Sequence, residues 1–528
     1  VQVGVAVAML SSLAVPSALA QSERIAAVAA RWSEAAAGSE AERYLRVAQL
    51  GGEVALTPWT VRAFGPQELS RLLPASGHVW RDRFAALPTT GVWLHRPQAT
   101  LDVNSGLAYG MNDGPAWSGR GLNASATLGA TWRWRGVTAQ IAPVLWWAQN
   151  ADFSLLPVSS PDRYSLRGDF GGGRIDLPQR LADASIGRVD PGESYVRIDV
   201  LGVTAGVSTA AEWWGPGVSS GVLLSNNAGG VPRVFAGTSR PLNIGIGTVH
   251  GRLFMGRLRP SGSFRDSRND EHAQLLTAAV GSFSPRGLPN LELGATRFIH
   301  EWWPSGGPGF DNLKLLWSNP TPNAAVVGSS EGNQLASLFA RVTVPQSGAE
   351  VYMEYATDDR NGYDNFDLIT EPDHDALTMF GFQQRIGAAG APVWWAVRGE
   401  TTNARMTHLD NVRSQVLFFQ HSAQAAGHTL RGQVLGSPYV RGGSGAELGV
   451  DRYDARGRMG ARWTRQGLAV NEVGGLGYGA LHTVEASVLR FTARGDLTLR
   501  AALTQRVGSA AAYDATNVHV SVGWRLTK

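Results

Sequence analysis

The sequence predicts an all-β fold, a transmembrane antiparallel β-barrel behind a small N-terminal helical segment, on three observations. Long stretches alternate apolar and polar residues with a period of two, Trp and Tyr sit near the ends of those stretches, and the connections are alternately short and long. Hydrocarbon accepts only helices or closed barrels, and no segment after residue 20 is apolar enough for a spanning helix. A soluble sandwich would alternate too, with its apolar face inward; the aromatic strand ends and the loop lengths favour the barrel.

The chain of 528 residues opens on VGVAVAMLSSLAVPSALAQS, a short uncharged apolar run that ends in Ala18-Leu19-Ala20 before Gln21. This pattern predicts a secretory signal peptide over residues 1–20. The basic stretch expected ahead of it is missing, so the reading places residue 1 inside the signal. Residues 21–95 then read as a periplasmic helical region. ERIAAVAARWSEAAAGSEAERYLRVAQLGG is rich in Ala, Glu and Arg with apolar residues at helical spacing, and GPQELSRLLPA (65–75) opens on Pro after Gly and closes at Pro74.

From residue 96 to 528 the period becomes two. In GLNASATLGATWRWRG, Leu122, Ala124, Ala126, Leu128, Ala130, Trp132 and Trp134 alternate with Asn123, Ser125, Thr127, Gly129, Thr131 and Arg133. The final segment repeats this, Val518, Val520, Val522, Trp524 and Leu526 against Asn517, His519, Ser521, Gly523 and Arg525. Less regular versions lie around 137–148, 195–200, 203–209, 248–258, 349–357, 482–491 and 495–504. Short turns at Arg135-Gly136 and Leu201-Gly202 belong on the periplasmic side. By parity, 108–120, 149–194 and 213–247 fall outside the cell and the helical region in the periplasm. At roughly 24 residues per strand with its loop, the barrel holds about 18 strands, wide enough for a lumen that needs water or a plug.

Composition adds limits. With hydrophobic residues at 43% and a mean hydropathy of −0.11, apolar residues are interleaved with polar ones rather than blocked. There is no cysteine, so an exported chain of this size is held by backbone pairing and packing alone. All but Lys314 and Lys528 of the 47 basic residues are arginines. Arginine suits bidentate pairing with carboxylates or phosphates of an acidic glycan or lipid, although a GC-rich coding bias explains the same excess. A net charge of +4 is too small to imply nucleic acid.

Several ordered motifs carry a family resemblance. EWWGPGVSSGVLLSNNAGGVP (212–232) resembles the hallmark of the Wzi family of capsule assembly proteins, and NSGLAYGMNDGPAWSGRGLN (104–123) is similar to that family's first loop and strand. APVLWWAQNADF (142–153) and GESYVRIDVLGVTAGVSTAAEWWGPG (192–217) continue the match in order, with GHTLRGQVLGSPY (427–439) a weaker echo. The resemblance runs from about residue 85 to the C-terminus. It implies an 18-stranded outer-membrane barrel with a periplasmic helical bundle, and a surface role in holding capsular polysaccharide. Within its motifs Asn104, Gly106, Asn112, Gly114, Trp117, Gly119, Arg120, Gly215, Pro216 and Gly217 are expected to be structural. The chain departs from many barrels in ending WRLTK, with its last aromatic at Trp524.

Four tryptophan doublets stand out: Trp146-Trp147, Trp213-Trp214, Trp302-Trp303 and Trp394-Trp395. Neighbouring side chains in a strand face opposite sides, so each doublet is expected to send one indole to lipid and one to the lumen. A lumenal indole could stack a sugar ring or pack the barrel wall. Trp213, Trp214, Trp302 and Trp303 are therefore candidate polysaccharide contacts. Asn226 and Asn227 join them because amides both donate and accept, with loop backbone as the competing partner. Arg233 is added for an acidic sugar, with a lumenal carboxylate as its competitor. Pro216 between two glycines predicts a sharp inward turn after the strand.

No catalytic residue is assigned. GVSSG (217–221) and GSSEG (328–332) match G-x-S-x-G around Ser219 and Ser330, but that motif needs a strand-to-helix elbow with Asp and His partners, and both stretches read as Gly/Ser-rich loops. His300-Glu301 has no second histidine at ligand spacing, so no metal is assigned. The acidic loop 357–376 could bind calcium, yet its spacing matches no EF-hand and a solvated extracellular loop is the default. No cofactor is expected. The function that follows is a non-catalytic outer-membrane protein, a monomer in outer-membrane lipid, that binds or anchors exported polysaccharide. The alternative is a porin-like diffusion channel; an outer-membrane hydrolase is a third and weaker reading.

Overall fold

The computed structural model describes residues 35–526, apart from 63, 74–79, 85–88, 157–174, 265–272, 318–331, 359–375, 405–417, 422–423, 440–442, 469–478 and 509–513. One antiparallel sheet closes on itself into a barrel, sealed where His519–Arg525 pairs with Gln98–Asn104. Five of its strands are interrupted, such as Thr90–Leu94 with Gln98–Asn104 and Gly121–Thr127 with Ala130–Trp134. With each interrupted strand counted once, the described residues trace eighteen spans.

The wall is inside-out relative to a soluble protein. In Ala515–Leu526, Val518, Val520 and Val522 are exposed while Asn517, His519 and Ser521 are buried. In the second strand Leu122, Leu128, Trp132 and Trp134 face outward, and Asn123, Thr131 and Arg133 inward. An exposed apolar girdle is stable only against lipid, and buried polar groups only where partners satisfy them. That pattern excludes the sandwich. Among the described residues no helix is long and apolar enough to cross a membrane.

The connections sort by length as parity demands. Residues 135–136, 201–202, 455–456 and 493–494 make tight turns at one end, while the described parts of the connections 105–120, 149–185, 209–232 and 404–443 lie at the other. One assignment needs correction. The stretch 213–247 is not wholly extracellular, because Arg233–Thr238 is a wall strand paired with Val203–Ser208, and 239–246 turns back at the short-turn end.

The lumen is occupied from both ends. The segment read as a periplasmic helical region contributes helix α1 (Glu40–Leu50), helix α2 (Pro66–Leu72) and a single turn at Arg81–Arg83, and the sheet begins within it at Thr90. Helix α1 lies inside the wall at the short-turn end rather than below it. Its Tyr44 stacks on Trp80 at 4.2 Å and abuts the wall pair Trp394 and Tyr453, themselves stacked at 4.0 Å. Arg46 binds Glu350, and Glu40 binds Arg458, both on wall strands. From the long-loop end, residues 209–232, 418–421 and 424–439 fold inward and bury Val222, Leu223, Phe419 and Leu435 against wall residues Phe254, Phe298, Leu335 and Met379. The two inserts meet. Val61–Arg62 pairs antiparallel with Trp213–Trp214, a two-stranded sheet across the lumen.

Candidate functional site

The tryptophan doublets follow strand geometry where they are in the wall. Trp146 and Trp394 point inward and are buried, while Trp147 and Trp395 are exposed on the lipid face. Trp213 and Trp214 break the expected split because their strand lies inside the lumen, not in the wall. Both are 1% exposed. Trp214 is held between Phe254 and Phe298 and donates from Nε1 to Glu212 at 2.8 Å. The Arg62 guanidinium lies 4.0 Å from the Trp213 ring centre. Their faces are covered by protein in this arrangement.

Arg233 takes the structural fate. It pairs with Glu212 Oε1 at 2.9 Å and donates to the carbonyls of Ala210 and Val231, while Arg252 pairs with the same Glu212 oxygen. Burial pushes the Glu212 carboxyl up, but Arg252 and Arg233 outweigh it and hold the group down at about 2. Asn226 donates to the carbonyls of Ala37 and Asn112, so it ties the N-terminal insert to the first long loop. The turn after the doublet is as sharp as Gly-Pro-Gly implies: Gly215 has φ +88°, a Cβ there would strike the Glu354 carboxylate, and Pro216 and Gly217 carbonyls accept from Arg46 and Arg62.

The first-loop motif is a set of hydrogen-bond anchors. Asn104 Nδ2 donates to Ser118 Oγ and the Gly119 carbonyl, and its Oδ1 faces Asn517 and His519 on the closing strand. A Cβ on Gly106 would run into the Thr516 carbonyl, and one on Gly119 would crowd Asn150. Asn112 (φ +57°) donates to the Ser219 carbonyl, and Gly114 (φ +65°) donates to that of Asn226. Trp117 Nε1 donates to Asn150 Oδ1, and Arg120 to the carbonyls of Ser105 and Asp152.

These anchors shape a pocket of about 90 Å³ on the long-loop face. Tyr109 and Trp117 supply aromatic surface; Asn227, Gln179, Gln433 and Gln466 supply amides. Asn227 is thus the one candidate binding residue that lines this pocket, with its Nδ2 on the Val434 carbonyl. Burial raises the Tyr109 phenol pKa, so the ring stays neutral. Single-residue spacing carried no signal for Gln179, Gln433 or Gln466, which come from three separate loops or strands. Trp302 and Trp303 sit elsewhere, at the outer rim, where Trp303 lies 4.8 Å from Arg257. Below the pocket a larger chamber of about 510 Å³ runs between helix α1 and the wall, lined by Arg43, Arg96, Arg500 and Arg525 among hydroxyls such as Thr100 and Ser521. Met111, Asn112 and Asp113 line both spaces.

Ser219 is no elbow nucleophile in this setting: its hydroxyl donates to Glu447, which Arg398 holds at 3.0 Å. Ser330 and all but the ends of the acidic loop 357–376 lie outside the described residues. Among the described residues no group of three or more His, Cys, Asp or Glu could hold a metal.

The family model of the capsule assembly protein Wzi matches residues 102–507. The chain belongs to that family. Together with the lipid-facing girdle, this makes it an outer-membrane β-barrel. Among solved structures it is similar to Wzi of Escherichia coli, described as an outer membrane protein involved in group 1 capsule assembly and a carbohydrate-binding β-barrel, at 12% identity and a TM-score of 0.60 over 93% of this chain and 98% of that one. Acinetobacter baumannii OccAB3 (10% identity, TM-score 0.39, 81% and 98% covered) and a BenF-like porin of Pseudomonas fluorescens (8%, 0.39, 82% and 97%) share far less of the geometry. No curated protein matches the sequence.

Proposed function

We propose that the chain holds an exported or capsular polysaccharide at the cell surface, without catalysis, as a monomer in outer-membrane lipid. The observation that carries this reading is the lumen itself: the sheet of Val61–Arg62 and Trp213–Trp214 crosses it, and the inward loops pack a continuous apolar core onto the wall. A barrel filled this way serves poorly as a diffusion channel and well as a rigid platform. Family membership and the carbohydrate binding ascribed to the similar Escherichia coli protein point the same way.

The contact we favour is the long-loop pocket, with Trp117 and Tyr109 stacking a sugar ring and Asn227 and Gln433 meeting its hydroxyls. Many such weak contacts along a repeating polymer give avidity without a deep cleft. Buried Trp213, Trp214 and Arg233, with half-buried Asn226, support the platform. Retention of the host's purified surface polysaccharide by the barrel in detergent tests the reading. Trp117→Ala is expected to weaken retention about tenfold, one stacking contact, with the barrel still folded. Retention indifferent to Trp117→Ala and Gln433→Ala together would place the glycan elsewhere.

A further inference from the structure

The outer surface near the long-loop rim carries polar residues where the rest of the girdle is apolar. Wall alternation places Phe254, Phe298 and Leu335 inward against the plug, so Arg257, Arg297, Glu301 and Gln334 project outward, on the lipid side. Arg257, Leu275 and Glu301 stand side by side across three strands. Outward-facing Leu275 and Thr277 are nonetheless completely buried. The segment after Trp302 lies against this face: Arg297 donates to the Leu316 carbonyl at 3.2 Å, Asn312 donates to Glu301 at 3.1 Å, and Trp303 reaches Arg257. Residues 303–317, with the short helix α3 (Phe310–Lys314), therefore lie on the outside of the barrel as a flap.

The exposed side of that flap is unusual. Phe310 and Trp317 are each 70% exposed, and Lys314, the one lysine among the described residues, stands between them with Asp311 at 2.8 Å. Arg257 has only the Trp303 face. Its Nε is buried without a hydrogen-bond partner, and no ion pair reaches its guanidinium among the described residues. A guanidinium on the lipid side without a counter-ion is costly unless the membrane supplies an anion. Large aromatic side chains beside basic groups match the boundary between acyl chains and phosphorylated headgroups.

We propose that the 303–317 flap is a docking site for a phosphorylated glycolipid of the outer leaflet. Arg257 and Lys314 bind its phosphates, and Phe310 and Trp317 enter the acyl boundary beneath. Arg297 and Glu301 hold the flap to the wall and do not face the lipid phosphate. The site fixes the barrel to the same leaflet in which a surface polysaccharide would be retained, but it stands independently of the glycan pocket on the opposite flank of the plug.

The test is native mass spectrometry of the full chain released from detergent with bisphosphorylated lipid A or with the same lipid after phosphatase treatment. The expected result is about a tenfold preference for the phosphorylated form, lost in the Arg257→Gln, Lys314→Gln double variant. Phe310→Ser with Trp317→Ser is expected to lower retention of both forms alike. Gel mobility of unheated against heated samples reports that each variant is folded. Equal retention of the two lipids by the wild type, or a preference unchanged in the double variant, overturns the proposal. So does a Phe310/Trp317 variant that loses soluble polysaccharide while keeping lipid, because the patch would then be a sugar platform.

Discussion

Two flanks of the lumen are built from strands of similar length but face different surroundings. Strands from Gly247–Leu258 to Ala376–Ile386 turn Phe254, Leu276, Ala278, Phe298, Leu335 and Met379 onto the inward loops, and that contact is dry. Strands from Gly457–Leu468 round to Gln98–Asn104 turn Arg462, Ser487, Thr498, Arg500 and Ser521 toward the chamber of about 510 Å³. The same barrel thus holds its plug by packing on one flank and leaves room for water on the other. The difference teaches where the fold is stiff: the dry flank anchors the insert, whereas the wet flank tolerates change.

Breaking the junction of the two inserts is expected to have the largest effect. Glu212→Ala leaves Arg233 and Arg252 buried without their carboxylate and removes the acceptor of Trp214, for a loss of about 3–5 kcal/mol. Phe298→Ala, in the dry flank, is expected to cost about 3–4 kcal/mol through the cavity it opens. Urea unfolding of the barrel refolded in lipid vesicles measures both.

The plug also sets a pH dependence. His428 is buried in the inward hairpin, bonded to the Leu223 carbonyl at 2.6 Å and to His300 at 2.9 Å. Burial pushes it down to about 4 from its ordinary 6.5, so it is neutral in the folded state. The unfolded chain gains that proton first. Its contribution is therefore intact above pH 6.5, falls as the pH drops toward 4 and levels off below, by about 3 kcal/mol in all. The unfolding midpoint of His428→Gln is expected to vary less with pH over that interval than that of the wild type.

Smaller effects sharpen the contrast. Asn104→Ala removes the anchor between the first loop and the closing strand and is expected to cost about 1–3 kcal/mol, together with a looser glycan pocket. Thr498→Val on the wet flank is expected to change the midpoint by less than about 0.5 kcal/mol. Equal losses for Phe298→Ala and Thr498→Val would erase the distinction between the flanks.

The same distinction explains what could be read from the residues. Ala515–Leu526 and the second strand alternate cleanly because their inner faces meet charge and hydroxyls, so period two is visible in sequence. Gln274–Pro285 and Ala376–Ile386 carry apolar residues on both faces, one for lipid and one for the plug, and their alternation is masked. Helices at 40–50 and 66–72 were legible from spacing and from Pro66, but not their place inside the wall, which depends on long-range partners such as Glu350 and Arg458. The Trp213-Trp214 doublet misled for a related reason. Strand geometry fixes alternation, yet nothing local says whether a strand belongs to the wall or to the plug. The long-loop pocket was legible only through Asn227 and the first-loop motif, since its other amides converge from distant segments.

The central claim is that the two inserts close the lumen, and single-channel conductance of the full chain in a planar bilayer tests it most directly. The account predicts a silent barrel, with openings appearing once Arg62→Ala and Trp213→Ala loosen the crossing sheet. A steady, wide pore in the unaltered chain would contradict it.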